Sequence, residues 1–281
     1  MTAWTTGELD ICGLRVHYTR TGGGDKPPVV LAHGGTDDGL CWTATARVLG
    51  DEFDVIMPDA RGHGRSAAPD QGYGSAQQAA DLAGVIRALG LTRPAVLGHS
   101  MGAASALVLA GSVPELPGAI LLEDPPSWWM PATRDDEEEA ARRRSAMVVR
   151  FSALKRQTRA ELLAGIRREQ PQWSDVEVET WVDAKQRFSP NMLSLLGPEW
   201  GAAIDWTPTL RRIKCPVTLI TADPARGAIV TAEAAEALRA VIPQVGIAHI
   251  PRAGHNIHRD QPERFLEVVR GALSEWAAGR V

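Results

Sequence analysis

The sequence is poor in cysteine, in long apolar runs and in excess positive charge. Cys12, Cys41 and Cys215 are its only cysteines. They are odd in number and widely spaced, which predicts free thiols in a reducing compartment, the cytoplasm, rather than a disulfide frame. Neither CxxC nor HExxH occurs, so no zinc pattern is present and no cofactor is expected. The longest apolar runs, such as Ala119–Leu122, fall far short of the ~20 residues that span a bilayer. The opening MTAWTTGELD lacks the basic-then-apolar order of a secretory signal. A formal net charge of −4 offers no basic face for phosphates, so a nucleic-acid partner is not expected. A homodimer is left open.

What is present suits a folded α/β protein. Of 281 residues 44% are apolar and 23% charged, enough to build a sizeable core. Leu14, Val16 and Tyr18 alternate with polar residues, as in a half-exposed strand. Val29–Ala32, Asp54–Met57, Ala95–Leu97 and Ala119–Leu122 are short continuous runs, as in buried strands. A helix is expected over 75–89, with Ser75 and Gln78 as a capping box and Gly90 as its stop. The alternation implies a mostly parallel sheet covered on both faces. From Ser127 to about Trp206 the spacing turns helical. There Glu138 and Glu139 precede Arg142 and Arg143 by four residues, the favourable order on a solvated helix face. Strands return at Pro216–Thr221 and Val245–Ile250, with a helix from near Thr231 between them and a closing helix over Pro262–Trp276. The stretch Gly22-Gly23-Gly24-Asp25-Lys26 lacks phosphate-loop spacing and reads as a hairpin turn.

Gly98-His99-Ser100-Met101-Gly102 matches G-x-S-x-G between a strand and a small-residue helix start. That setting exposes a nucleophilic serine at the carboxyl edge of a sheet. A serine needs a base. Of seven histidines, His255 is the best placed, in the loop after the last strand. His258 reads as structural or solvent-facing. His33, His63 and His99 read as backbone-bonded turn residues, and His17 and His249 as surface or core residues.

Four segments together resemble the α/β-hydrolase family: His33-Gly34-Gly35, Asp59–Ser66, the Ser100 elbow and Ala253-Gly254-His255. The resemblance covers about 8–125 and 207–278. It implies an α/β-hydrolase core over 1–125 and 207–281 with an inserted helical cap over 126–206. It also implies an oxyanion hole from the backbone amides of Gly35 and Met101. The acid of the triad stays open. The commonest family position falls on Ala225, and Asp223 is the only carboxylate near it. A second position resembles that of haloalkane dehalogenases and zearalenone lactone hydrolases and falls on Asp124. Glu123 is one residue away, but the two-residue period of a strand turns it to the other side.

The expected activity is that of a cofactor-free serine hydrolase acting on an ester or lactone. Hydrolysis of a C–C bond in a diketone, and a non-catalytic receptor of the same fold, are the alternatives. Six of nine tryptophans (Trp128, Trp129, Trp173, Trp181, Trp200, Trp206) lie within 126–206. They either build the core of the cap or rim the cleft, with Trp128 and Trp129 the best candidates for contact with a bulky apolar substrate.

Overall fold

Side chains on successive strand positions pack against opposite layers, and that alternation organises the protein. In a computed structural model, which describes residues 4–22, 26–130, 134–197 and 204–279, the described residues form one eight-stranded sheet. Its strands are β1 (Thr5–Ile11), β2 (Leu14–Arg20), β3 (Pro28–Ala32), β4 (Asp54–Pro58), β5 (Ala95–His99), β6 (Ala119–Glu123), β7 (Val217–Thr221) and β8 (Val245–His249). The order is β1-β2-β4-β3-β5-β6-β7-β8. β1 and β2 pair antiparallel, as do β2 and β4, and β4 through β8 run parallel.

Helices cover both faces. α1 (Thr43–Leu49) lies on one face, while α2 (Ser75–Ala88) and α3 (Met101–Ser112) lie on the other. Val30, Val96 and Ile120 bury against Ile86 of α2 and Leu107 of α3. Their neighbours Val29, Ala95 and Ala119 face Leu49 of α1 and the closing helix. Residues 101–111 of α3 are all buried, which its small side chains allow. Between β6 and β7 come α4 (Arg134–Arg156), α5 (Arg159–Glu169), α6 (Asp175–Arg187), a 3-10 segment Pro190–Leu196 and α7 (Trp206–Arg211). α8 (Ala232–Val241) starts after the Thr231 cap, α9 is the single turn Ile257–Asp260, and α10 (Pro262–Ala278) closes the chain. On α4 the expected Glu138–Arg142 and Glu139–Arg143 pairs form at 4.0 and 2.9 Å. Among the described residues no helix is long and apolar enough to cross a membrane.

Two local expectations are corrected. The N-cap of α2 is Gly74, not Ser75, and no side chain caps it. Gln78 instead donates from Nε2 to the Tyr73 carbonyl at 2.7 Å. The Gly22–Lys26 stretch is not a hairpin, because β4 lies between β2 and β3. β2 and β3 run in opposite directions but are not neighbours, so no hairpin joins them. Residues 23–25 lie outside the described residues.

Candidate active site

Steric conflict builds the elbow. Ser100 has φ 51° and ψ −111°, between the end of β5 and the start of α3. A Cβ on Gly98 would strike the Gly102 carbonyl oxygen and come within 2.5 Å of the Ala103 nitrogen. One on Gly102 would strike the Ala32 carbonyl oxygen. Only glycine fits on either side of the serine, and a non-glycine residue at positive φ is strained. The Ser100 amide donates to the Glu123 carbonyl at 2.9 Å, which ties the elbow to the end of β6.

Asp124 follows β6 directly, itself at φ 43°. Its carboxylate is 0% exposed and accepts from the Ile229 and Val230 amides at 2.9–3.0 Å. His255 Nδ1 donates to Asp124 Oδ2 at 2.6 Å. Backbone amides can only donate, so both carboxylate oxygens are acceptors and the imidazole proton sits on Nδ1. That leaves the lone pair on Nε2, the tautomer a general base needs. His255 is 30% exposed. His99, next to Ser100, donates from Nε2 to the His255 carbonyl at 2.9 Å. Its ring lies 4.7 Å from that of His255.

The other two candidate acids go elsewhere. Asp223 sits at the end of β7, where it accepts from the Arg252 amide at 2.8 Å and pairs with His249 at 3.1 Å. Glu123 points away from His255, as the strand period predicts. It accepts from the His258 amide at 2.9 Å and from His258 Nδ1 at 2.8 Å. Burial pushes the Glu123 carboxyl up to about 7 and the His258 imidazole down to about 3.

Gly35 and Met101 flank the elbow, and among the described residues neither amide has an acceptor. A side chain at Gly34 would come 2.6 Å from His99 Nδ1, so the loop must be glycine where it passes the elbow. Two histidines brace that loop. The Ala60 amide donates to His33 Nε2 at 2.9 Å, and His33 Nδ1 donates to the Gly34 carbonyl at 2.8 Å. The Thr36 amide donates to His63 Nε2 at 3.1 Å, and His63 Nδ1 donates to the Arg61 carbonyl at 2.8 Å. Burial lowers His63 to about 3, which keeps it a neutral acceptor. The Asp59–Ser66 motif is thus a brace. Asp59 accepts from the Gly39 and Arg65 amides, and Arg61 grips Asp81 with two hydrogen bonds at 2.6 and 2.7 Å.

Residues 29–268 match the family model described as the alpha/beta hydrolase family. The chain belongs to that family. This alpha/beta hydrolase is 38% identical over 121 residues to the N-formylmaleamate deformylase of Pseudomonas putida, across 42% of this chain and 45% of the relative. It therefore matches less than half the length of that relative. It is 27% identical to an esterase of Mycobacterium tuberculosis across 89% of this chain and 84% of the esterase. The crystal structure of E-2-(acetamidomethylene)succinate hydrolase shares its fold, with a TM-score of 0.81 at 21% identity over 97% of this chain and 100% of that one.

The hydrolase's insert meets the site through residues the sequence did not flag. Phe188, Met192 and Leu195 cluster with Tyr73 and Met101. The Met192 methyl lies 3.9 Å from where a Gly35 side chain would begin. The only signal for them was an apolar run after α6. Of the two uses left open for the tryptophans, packing accounts for several of them. Trp129 is 7% exposed and donates its indole N–H to the Ala234 carbonyl at 2.7 Å, so its hydrogen-bonding group is committed to α8 and not to a ligand. Trp128 packs 5.3 Å from Trp206 and partly against the same core cluster. Trp173 donates to Asp260 at 2.8 Å, and Trp181 lies under Lys185. Trp200 lies outside the described residues.

Proposed function

We propose that the chain is a serine hydrolase that cleaves a bulky apolar carboxylic ester or lactone through an acyl-enzyme. The observation that carries this reading is the His255–Asp124 hydrogen bond, made to a buried carboxylate already held by two backbone amides. In this mechanism Ser100 Oγ attacks the carbonyl carbon while His255 Nε2 takes the hydroxyl proton. Negative charge develops on the carbonyl oxygen, where the Gly35 and Met101 amides receive it. The tetrahedral species collapses, and His255 returns the proton to the departing alkoxide. Water then repeats the sequence on the acyl-enzyme and releases the acid. The amides supply the electrophilic help, so no metal is needed. A non-catalytic receptor has no use for an imidazole held in the basic tautomer.

Two features favour an uncharged, apolar acyl group. The cluster beside Gly35 and Met101 is apolar. Among the described residues the cations nearby are paired: Lys185 and Arg259 with Asp37, Arg187 with Asp38, and Arg61 with Asp81. Trp128 stays the tryptophan proposed to contact substrate, whereas Trp129 is withdrawn from that role. Amide hydrolysis is a second reading, favoured by the similarity to a deformylase. It uses the same tetrahedral chemistry with an amine leaving group. The test is a panel of p-nitrophenyl esters, aryl lactones and N-acyl amides. Wild type should turn over the longer esters with a Ser100-bound acyl group visible in the intact mass. Ser100→Ala should lose on the order of 10³-fold or more. Near-wild-type turnover by that variant overturns the reading.

A further inference from the structure

One buried chain of charges does not take part in the reaction above, yet it links the loop carrying Gly35 to α6 and to the residue after His255. Asp37 follows the Gly34-Gly35-Thr36 loop and is buried. One carboxylate oxygen accepts from Lys185 Nζ of α6 at 2.6 Å, and the other from Arg259 Nη2 of α9 at 3.0 Å. Lys185 also donates to the Thr36 carbonyl at 3.1 Å. Arg259 also donates to the Asn256 side chain, next to His255, at 3.0 Å and to Glu177 of α6 at 3.1 Å. The backbone of Asp37 does something more specific. Its amide donates to the Gly34 carbonyl at 3.2 Å. That carbonyl and the Gly35 N–H belong to one planar peptide and point in opposite directions. Fixing the Gly34 oxygen, which His33 Nδ1 also holds at 2.8 Å, therefore aims the Gly35 N–H.

We propose that Asp37 is a positioning residue for the Gly35 oxyanion amide, held in place by Lys185 from the insert and Arg259 from the base loop. The proposal rests on the serine-hydrolase reading above. Its consequence is that the oxyanion site is aligned only while α6 is docked and the His255 loop is seated. Burial alone would raise the Asp37 carboxyl, but Arg259 and Lys185 hold it well below the usual carboxylate range, so it remains an anchor for both cations. Two buried cations on one carboxylate, with Glu177 completing the charge balance, leave no member free to move without exposing an unpaired charge.

The test uses the full chain, p-nitrophenyl butyrate and a fluorophosphonate that labels active-site serines. Lys185→Met removes the tether to the insert while Arg259 still pairs with Asp37. Its kcat and its Ser100 labelling rate should each fall about 10²-fold, the cost of one misaligned oxyanion donor, with KM unchanged. Leu162→Ala, in the insert's own cluster, serves as a stability control. It should lower Tm and leave kcat alone. If Lys185→Met does not fold, the double variant Asp37→Asn with Lys185→Met leaves no unpaired carboxylate and should show the same kcat loss. Wild-type kcat in either Lys185 variant overturns the proposal. So does an equal kcat loss in Leu162→Ala, which would reduce the effect to stability. Failure of the wild type to label at Ser100 overturns the hydrolase reading itself and the inference with it, and so is distinguishable from the other outcomes.

Discussion

Two aspartate–histidine pairs stand side by side at the carboxyl ends of adjacent parallel strands. Asp124 follows β6 and pairs with His255, whereas Asp223 follows β7 and pairs with His249. The residue types match and the hydrogen bonds differ by only half an ångström, 2.6 against 3.1 Å. Their surroundings differ much more. The Asp124 side chain is 0% exposed and that of Asp223 33%, while His249 is 51% exposed. Water screens the outer pair and competes for its hydrogen bonds, so that pair fixes little. The inner pair has no water to turn to, and three donors define one orientation. A carboxylate–histidine contact at a strand end is thus chemically useful only where burial and backbone donors remove its alternatives.

The largest effect expected is at the inner aspartate. Asp124→Asn replaces an obligate acceptor with a group that can donate, and His255 then loses the basic tautomer. Turnover should fall ~10⁴-fold, whereas Asp223→Asn should stay within about threefold. Steady-state kinetics on both variants decide it, and the reverse ranking would break the comparison.

Next in size is a third pair, Glu123–His258, which is buried at both ends. Its carboxyl sits at about 7 in the folded protein, against ~4.3 in an unfolded chain. A carboxyl raised by folding stabilises below its unfolded value, and that contribution is lost as pH rises through the folded value. The expected loss between about pH 5 and about pH 8 is roughly 3 kcal/mol. Asp37, held low by its cations, acts in the opposite sense. Its stabilisation is present above the carboxylate range and fades as pH falls below it. His63, His99 and His258, held at about 3, likewise act in the opposite sense to Glu123 below about pH 6.5. Urea unfolding across this range should therefore show the stability of wild type falling relative to that of Glu123→Gln. Equal slopes in both would remove Glu123 from the account.

A smaller effect separates packing from catalysis. Trp129→Phe deletes the indole N–H that meets the Ala234 carbonyl. It should cost about 1 kcal/mol of stability, one neutral hydrogen bond, and leave kcat/KM unchanged. A selective loss toward aryl substrates would return Trp129 to the cleft.

The smallest expected effect is none. Dialysis against a chelator should leave turnover unchanged, because the proposed mechanism uses amides where a Lewis acid would act. Loss restored by one added metal would mean that an exposed pair such as Asp223–His249 takes part in the chemistry after all.

Much of the framework was legible because it is written in local physics. The buried strands announced themselves as continuous apolar runs, and the parallel sheet followed from their alternation with helices. Misreadings arose where a local signal had two outcomes. Ser75 and Gln78 have the spacing of a capping box, but the N-cap is Gly74, one residue earlier, and Gln78 bonds Tyr73 instead. The glycine run after β2 suits a tight turn, yet strand order puts β4 between the two strands it connects. The tryptophan excess in the insert signalled large side chains without saying which way they face.

The sequence by itself determined the elbow, because backbone atoms a few residues away forbid any side chain at Gly98, whatever the rest of the chain does. Tertiary structure alone decided which carboxylate meets His255. Asp124 and Asp223 are alike as residues, and the choice depends on a hydrogen bond spanning 131 positions and on the depth at which each is buried. The same holds for Asp37, whose partner Lys185 is 148 residues away. Steric exclusion acts over neighbouring atoms and can be read along the chain. Desolvation and ion pairing depend on what the fold brings near, and no spacing in the sequence encodes that.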